Sequence, residues 1–153
     1  MKKATLFLII LSFVLSPLAA SKIIILGKTN PSEIFFLKDW KANYDNYTPD
    51  MKIIKKINSL NKEIKVEVYF GTWCGDSRNN VPKLIKIFEN IPKFKIEWTG
   101  IIWRKCDKSG LYKKYKLERV PTIIFYQNGK EIGRIVENPI KTLEQDILDI
   151  VSK

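Results

Sequence analysis

Ile64, Val66, Val68 and Phe70 alternate with Lys65, Glu67 and Tyr69, the two-residue period of a strand. The alternation ends in Gly71-Thr72-Trp73-Cys74-Gly75-Asp76-Ser77, after which apolar residues return at helical spacing through Leu84, Ile85 and Phe88. A change of period across so short a turn makes Cys74 the hinge between a strand and a helix. A thiol at a helix N-terminus faces unpaired backbone N–H groups and the positive end of the helix dipole. Both favour thiolate, the species that attacks a disulfide.

The remaining segments fit around that unit. Phe94, Ile96 and Trp98 begin a second strand that reads on toward Trp103, and Leu111 to Leu117 is a short helix. Thr122 to Tyr126 and Glu131 to Val136 are strands joined by an Asn128-Gly129 hairpin turn. Thr142 and Gln145 form a capping box for a last helix carrying Leu143, Ile147, Ile150 and Val151. The order strand, helix, strand, helix, strand, strand, helix predicts an α/β sandwich with parallel and antiparallel pairs. With 45% hydrophobic residues the chain has the material for a real core.

Upstream, residues 21–31 read as a short lead. Ser32 is placed to cap a helix carrying Ile34, Phe35, Leu37 and Trp40, and Pro49-Asp50 opens another with Met51, Ile54, Ile57 and Leu60. Residues 21–60 are therefore expected as an N-terminal helical extension on a domain spanning 61–153. Trp40, Tyr44 and Tyr47 are expected to pack as part of that cap, the alternative being a partner groove. The first twenty residues read as a secretory signal: Lys2 and Lys3, an apolar run from Ala4 to Leu15, and a small-residue exit at Ala19-Ala20. Cleavage there leaves 133 of the 153 residues in a periplasmic or secreted protein. An uncleaved membrane tether is the alternative.

The net charge of +11 loses two lysines and no acids with the leader, becoming +9. The remaining lysines are scattered rather than gathered on one helix or arm, so no nucleic-acid partner is expected. The complete absence of histidine excludes Ser-His-Asp and Cys-His catalysis, and two cysteines cannot build a Cys-only zinc site. No metal and no cofactor are expected.

Over Lys62 to Val151 the chain resembles the thioredoxin superfamily. The resemblance is carried by Trp73-Cys74-Gly75-Asp76-Ser77 at a strand–helix junction, Pro82 eight residues beyond Cys74, Val120-Pro121-Thr122 before an apolar strand, and Asn128-Gly129. It implies a thioredoxin-like three-layer sandwich, a central mixed sheet flanked by helices. It further implies that Cys74 is a nucleophile acting on protein disulfides or mixed disulfides, and that Pro121 is cis and faces it. Trp73, Gly75, Asp76, Val120 and Pro121 would then dock substrate.

Two departures narrow that expectation. Ser77 stands where dithiol relatives carry their second cysteine, so a mixed disulfide on Cys74 cannot be closed locally; Ser77 is expected instead to hydrogen-bond the thiolate. The buried acid that assists thioredoxins would fall at Val68. Discharge then depends on a small thiol, a membrane reductase, the substrate's own second thiol, or Cys106 as a displaced resolving thiol. An unpaired, semi-buried Cys106 is the plainer expectation. Two functions follow: a single-cysteine exchange protein of isomerase or mixed-disulfide reductase type, or a redox-inactive binding module on the same fold. A peroxidase-like site is disfavoured because Gly71 stands three residues before Cys74, although Arg78 and Arg119 are candidate neighbours.

Overall fold

The structure, a computed structural model, describes residues 23–153; the leader expected at residues 1–20 lies outside them. Strand β2 (Ile64–Phe70) leads into helix α4 (Gly75–Phe88), followed by β3 (Phe94–Gly100), a 3-10 turn (Arg104–Cys106) and α5 (Leu111–Lys114). The hairpin β4 (Thr122–Gln127) and β5 (Lys130–Val136) precedes α6 (Leu143–Val151). Ahead of β2 come β1 (Gly27–Thr29), α1 (Pro31–Ile34), α2 (Lys38–Asp45) and α3 (Met51–Ser59). The sheet order is β1-β3-β2-β4-β5, with β2 parallel to β3 and all other pairs antiparallel.

Strand β3 stops at Gly100, short of Trp103, and three further local expectations are corrected. The lead contains β1, an edge strand pairing Gly27 with Gly100 and Thr29 with Trp98. Three residues carry too little alternation to announce a strand. The chain comes so close here that a Cβ on Gly100 would stand 2.3 Å from the Ile25 carbonyl oxygen. Second, the first helix is split, and Asn30 caps it rather than Ser32, its Oδ1 accepting from the Ser32 N–H at 3.1 Å with Pro31 at the first helical position. A continuous helix would set Ile34 and Trp40 about 120° apart around its axis. The break at Leu37, extended at φ −87° and ψ 107°, lets both enter one core. Third, Thr142 Oγ1 does accept from the Gln145 N–H, but the Gln145 side chain donates to Asp149 instead of returning to complete the box.

The two faces of the sheet are unequal. Val66, Val68 and Phe70 of β2 and Ile123 and Phe125 of β4 point to one side, where α2, α3, α4 and α6 cover them. Tyr69 and Ile124 belong to a smaller cluster on the other, with Ile101, Tyr112, Leu117 and Val120. The extension is thus part of the major core: Ile34, Trp40, Ile54 and Ile57 are buried with Leu84, Ile87 and Ile147. Fully burying each such aliphatic or aromatic side chain stabilises the fold by about 1.5–3 kcal/mol.

Pro82 lies inside α4 and has no N–H to give the carbonyl four residues back, that of Arg78. Asn43 of α2 fills the gap, its Nδ2 donating to the Arg78 carbonyl at 2.9 Å. Lys86 of α4 answers by donating to the Tyr44 and Asp45 carbonyls at the C-terminus of α2. Tyr44 itself packs on Phe35 with ring centroids 4.7 Å apart and donates to Glu89 at 2.6 Å. Tyr47 donates to the buried Glu144 of α6 at 2.7 Å. Both tyrosines tie the extension to the domain rather than line an open groove.

Two predictions follow from these ties. Asn43→Leu should lower urea-unfolding stability by about 0.5–1.5 kcal/mol, and by nothing measurable in a Pro82→Ala background, where the helix supplies its own N–H. The bond to Glu89 first, and burial second, hold the Tyr44 hydroxyl up at about 12 rather than 10.0. A tyrosine raised on folding contributes stability that is complete below pH 10 and lost as the pH climbs toward 12. Tyr44→Phe should therefore unfold more easily at neutral pH and lose less of its remaining stability across that alkaline window, measured by urea midpoints.

Candidate functional site

Cys74 occupies the N-cap position of α4, with extended backbone at φ −93° and ψ 130° and a side chain that makes no capping bond. Its N–H donates to the Gly71 carbonyl at 2.9 Å, and its Sγ–H donates to the Val120 carbonyl at 3.1 Å. The thiol is half-buried and free. The Val120–Pro121 peptide is cis, and both residues are buried. Cys74, Val120 and Pro121 are thus brought together from opposite ends of the site's sequence span.

The turn that presents the thiol is held from inside. Ser77 is fully buried, and its Oγ accepts from the Gly71 N–H at 3.2 Å. Among the described residues no hydrogen bond joins Ser77 to Cys74, so the expected thiolate contact is replaced by a strut across the loop. The Trp73 indole N–H donates to the Ile101 carbonyl at 3.0 Å, and its ring stacks on Trp103 at 5.1 Å. A Cβ on Gly71 would lie 2.5 Å from that indole, which is why this position carries glycine. Gly75 is exposed, and Asp76 accepts from Asn138 Nδ2 at 3.1 Å rather than facing the thiol alone.

A polar clamp joins the first turns of α4 to the proline loop. Asn80, only 3% exposed, donates to the Glu137 carbonyl and to Asn138 Oδ1, both at 2.9 Å. Glu137 in turn donates its N–H to the Pro121 carbonyl at 2.7 Å and its carboxylate accepts from Arg119 at 2.6 Å. Its φ of +65° is an uncommon conformation for a residue with a side chain. Sequence reasoning passed over Asn80, Glu137 and Asn138. Asn80 had a signal: with Ser77 it is polar on the stripe that continues through Val81, Leu84, Ile85 and Phe88.

Cys74 opens onto two clefts. The larger, about 520 Å³, lies against the extension and is bordered by Leu37, Trp40, Thr72 and Arg78, the last paired with Asp39 at 3.3 Å. The smaller, about 240 Å³, is bordered by Trp73, Arg104, Tyr112, Glu118 and Val120. Arg78 and Arg119 therefore fall on opposite sides of the thiol, each engaged with a carboxylate. Cys106 is a free and exposed thiol on the 3-10 turn, more open than the semi-buried position expected for it.

Val68 is fully buried in the major core, so no acid stands there. The neighbouring Glu67 is nearly buried, but it faces the other side of the sheet, where it accepts from Tyr69 at 3.0 Å and pairs with Lys65 at 2.9 Å. Burial, then bonds to Tyr115 and Glu67, raise the Tyr69 hydroxyl well above its ordinary value. Among the described residues no group of three or more Cys, Asp and Glu side chains converges as a metal site would require.

Comparison with known proteins agrees with this geometry. A family model described as Thioredoxin matches residues 37–148, most of the chain. A thioredoxin of Mycoplasmoides gallisepticum is 31% identical over 94 residues, spanning 59% of this chain and 89% of that protein. Thioredoxin-2 of Saccharomyces cerevisiae is 32% identical over 71 residues, which is 44% of this chain and 62% of the yeast protein. Among solved structures, a Pseudomonas aeruginosa protein of unknown function superposes with a TM-score of 0.59 at 15% identity, covering 81% of this chain and 86% of that one. An HIV epitope scaffold gives 0.60 at 16%, covering 82% and 93%. At such identities these two structures speak to the fold alone.

The clamp makes a prediction. Asn80→Leu leaves the Glu137 carbonyl without its donor and should cost about 1–3 kcal/mol in stability. With the proline loop loosened, amide exchange at Glu137 and Asn138 should accelerate more than exchange in β2, measured by hydrogen–deuterium mass spectrometry.

Proposed function

Since the chain belongs to the thioredoxin family, we propose that it is a thiol–disulfide exchange protein in which Cys74 is the sole nucleophile of the motif. The observation that carries this reading is the placement of a free, half-exposed thiol at a helix N-terminus, 3.1 Å from the Val120 carbonyl, with Ser77 buried where a second thiol would stand. The Cys74 thiolate attacks one sulfur of a substrate disulfide, forming a mixed disulfide and releasing the other sulfur as thiolate. The Val120–Pro121 edge and the Trp73 rim hold the substrate chain alongside. Ser77 cannot expel the substrate, so the intermediate survives until a second thiol attacks it. When that thiol belongs to the substrate the net result is isomerisation; when it is an external thiol the result is reduction.

The reading includes export, supported by the leader pattern at residues 1–20, with protein disulfides or mixed disulfides of the cell envelope as substrates and a small thiol or a membrane reductase as the source of electrons. Cys106 is a less direct resolving group, since it is exposed and unbonded. The binding-module reading is supported by Val68, which leaves the site without the buried acid that would assist proton transfer.

Alkylation separates the two. With iodoacetamide at pH 7, Cys74 should react roughly five- to tenfold faster than free cysteine, and Cys74→Ser should remove that fast phase. The wild type should reduce insulin poorly, and Ser77→Cys should raise the rate by supplying the local resolving thiol. A Cys74 no faster than free cysteine, together with an inert but folded Ser77→Cys variant, would establish the binding module instead.

A further inference from the structure

The smaller cleft beside Cys74 has a chemical signature that the exchange reaction itself does not explain. Its floor is apolar: the Trp73 ring, Val120, and Tyr112, which is buried and pinned by donating its hydroxyl to the Ile102 carbonyl at 2.7 Å. Its rim carries four charges. Arg119 and Glu137 satisfy each other at 2.6 Å. Arg104 and Glu118 are exposed, and among the described residues neither has an ion-pair partner within 4.0 Å. One unpaired cation, one unpaired anion and a thiol therefore border the same hollow. At about 240 Å³ it falls below the roughly 300–1,000 Å³ of pockets that hold drug-sized ligands.

Taking Cys74 as the exchange nucleophile proposed above, we infer that this cleft binds an amino-acid thiol, a small molecule bearing both an ammonium and a carboxylate group, as in cysteine. Arg104 receives the carboxylate, Glu118 the ammonium, and the apolar floor the methylene that carries the sulfur. With such a capped substrate the amino-acid half takes the Val120 side of Trp73, and the polypeptide half lies in the larger cleft on the extension side of the same ring. The substrate class is then a protein thiol capped by such a molecule. The Cys74 thiolate attacks the sulfur of the amino-acid half, an S–S bond forms between them, and the capped bond breaks. The electron pair leaves with the protein sulfur, which takes its proton from water. A second amino-acid thiolate attacks the captured sulfur, forms the symmetric disulfide, and frees Cys74 as thiolate. In sum one protein thiol is restored, while the captured amino-acid thiol and the free one end as one disulfide.

The test uses the full mature chain with Cys106→Ser, so that only Cys74 reports. Four disulfides are offered: cystine, cystine dimethyl ester, N,N′-diacetylcystine and 2-hydroxyethyl disulfide. Formation of the Cys74 adduct is followed by mass spectrometry, and each rate is divided by that of 2-mercaptoethanol with the same disulfide. Cystine should exceed the hydroxyethyl compound by about three- to tenfold, within the roughly two- to thirtyfold that two exposed ion pairs supply. Arg104→Gln should erase the preference of cystine over its ester, and Glu118→Gln its preference over the diacetyl compound. Both positions are on the surface, so the fold is kept. Equal normalised rates for all four overturn the inference. So does the order diacetyl, cystine, ester, which the basic charge of the chain alone would produce. Brisk but indiscriminate cleavage removes only this inference. Failure to cleave any probe, with ordinary iodoacetamide reactivity, removes the exchange reading as well.

Discussion

Helix α4 lies on the central strands through Val81, Leu84, Ile85 and Phe88, and that apolar contact fixes where its first turn must be. Because β2 delivers the chain directly into that turn, the register of β2 against β4 also sets the distance between Cys74 and the residue that precedes Pro121. Val68 opposite Ile123 and Tyr69 opposite Thr122 bring the two strand ends level. The thiol and the Val120 carbonyl then meet at 3.1 Å without any residue being asked to reach. Were α4 to slide by one turn, about 5.4 Å, the thiol would leave the proline loop altogether.

Such a slide is opposed by polar contacts that tie the N-terminal half of the helix to two different elements. Asn80 joins it to the loop after β5, and Asn43 takes up the carbonyl that Pro82 leaves open. Each bond alone is worth about 1 kcal/mol, small beside the packing of the helix. Their value lies in direction, since apolar contact resists separation more than sliding. The extension upstream of β2 thereby belongs to the site's machinery. It holds α4 from outside, and with Trp40 and Leu37 it walls one of the two clefts at Cys74.

The strand–turn–helix unit was legible in the residues because its signals are local: a period of two in Ile64–Phe70, a break at Gly71, and a period of 3.6 after it. The hairpin and the last helix were legible for the same reason. Strand β1 was not, because Gly27-Lys28-Thr29 is a strand only by pairing with Trp98 to Gly100. The split at Leu37 was hidden because it resolves a conflict between two buried residues, Ile34 and Trp40, that no local pattern records. Ser77 was read for its place in the motif, as a partner for the thiolate. Its actual role is set by Gly71, whose N–H lies in the loop beneath it.

By itself the sequence determined that histidine takes no part in any chemistry, that Cys74 stands where a strand's period gives way to a helix's, and that no second thiol stands three residues later. Those are matters of residue identity and short-range periodicity, which are read along the chain without knowing its long-range contacts. The tertiary structure alone decided what surrounds that sulfur: Val120 at its side, Asn80 and Glu137 bracing the loop, Cys106 open to solvent, and Arg104 and Glu118 across one small cleft. These residues come from elements far apart in the chain. Their meeting depends on sheet register and helix packing, which are set by the whole core at once.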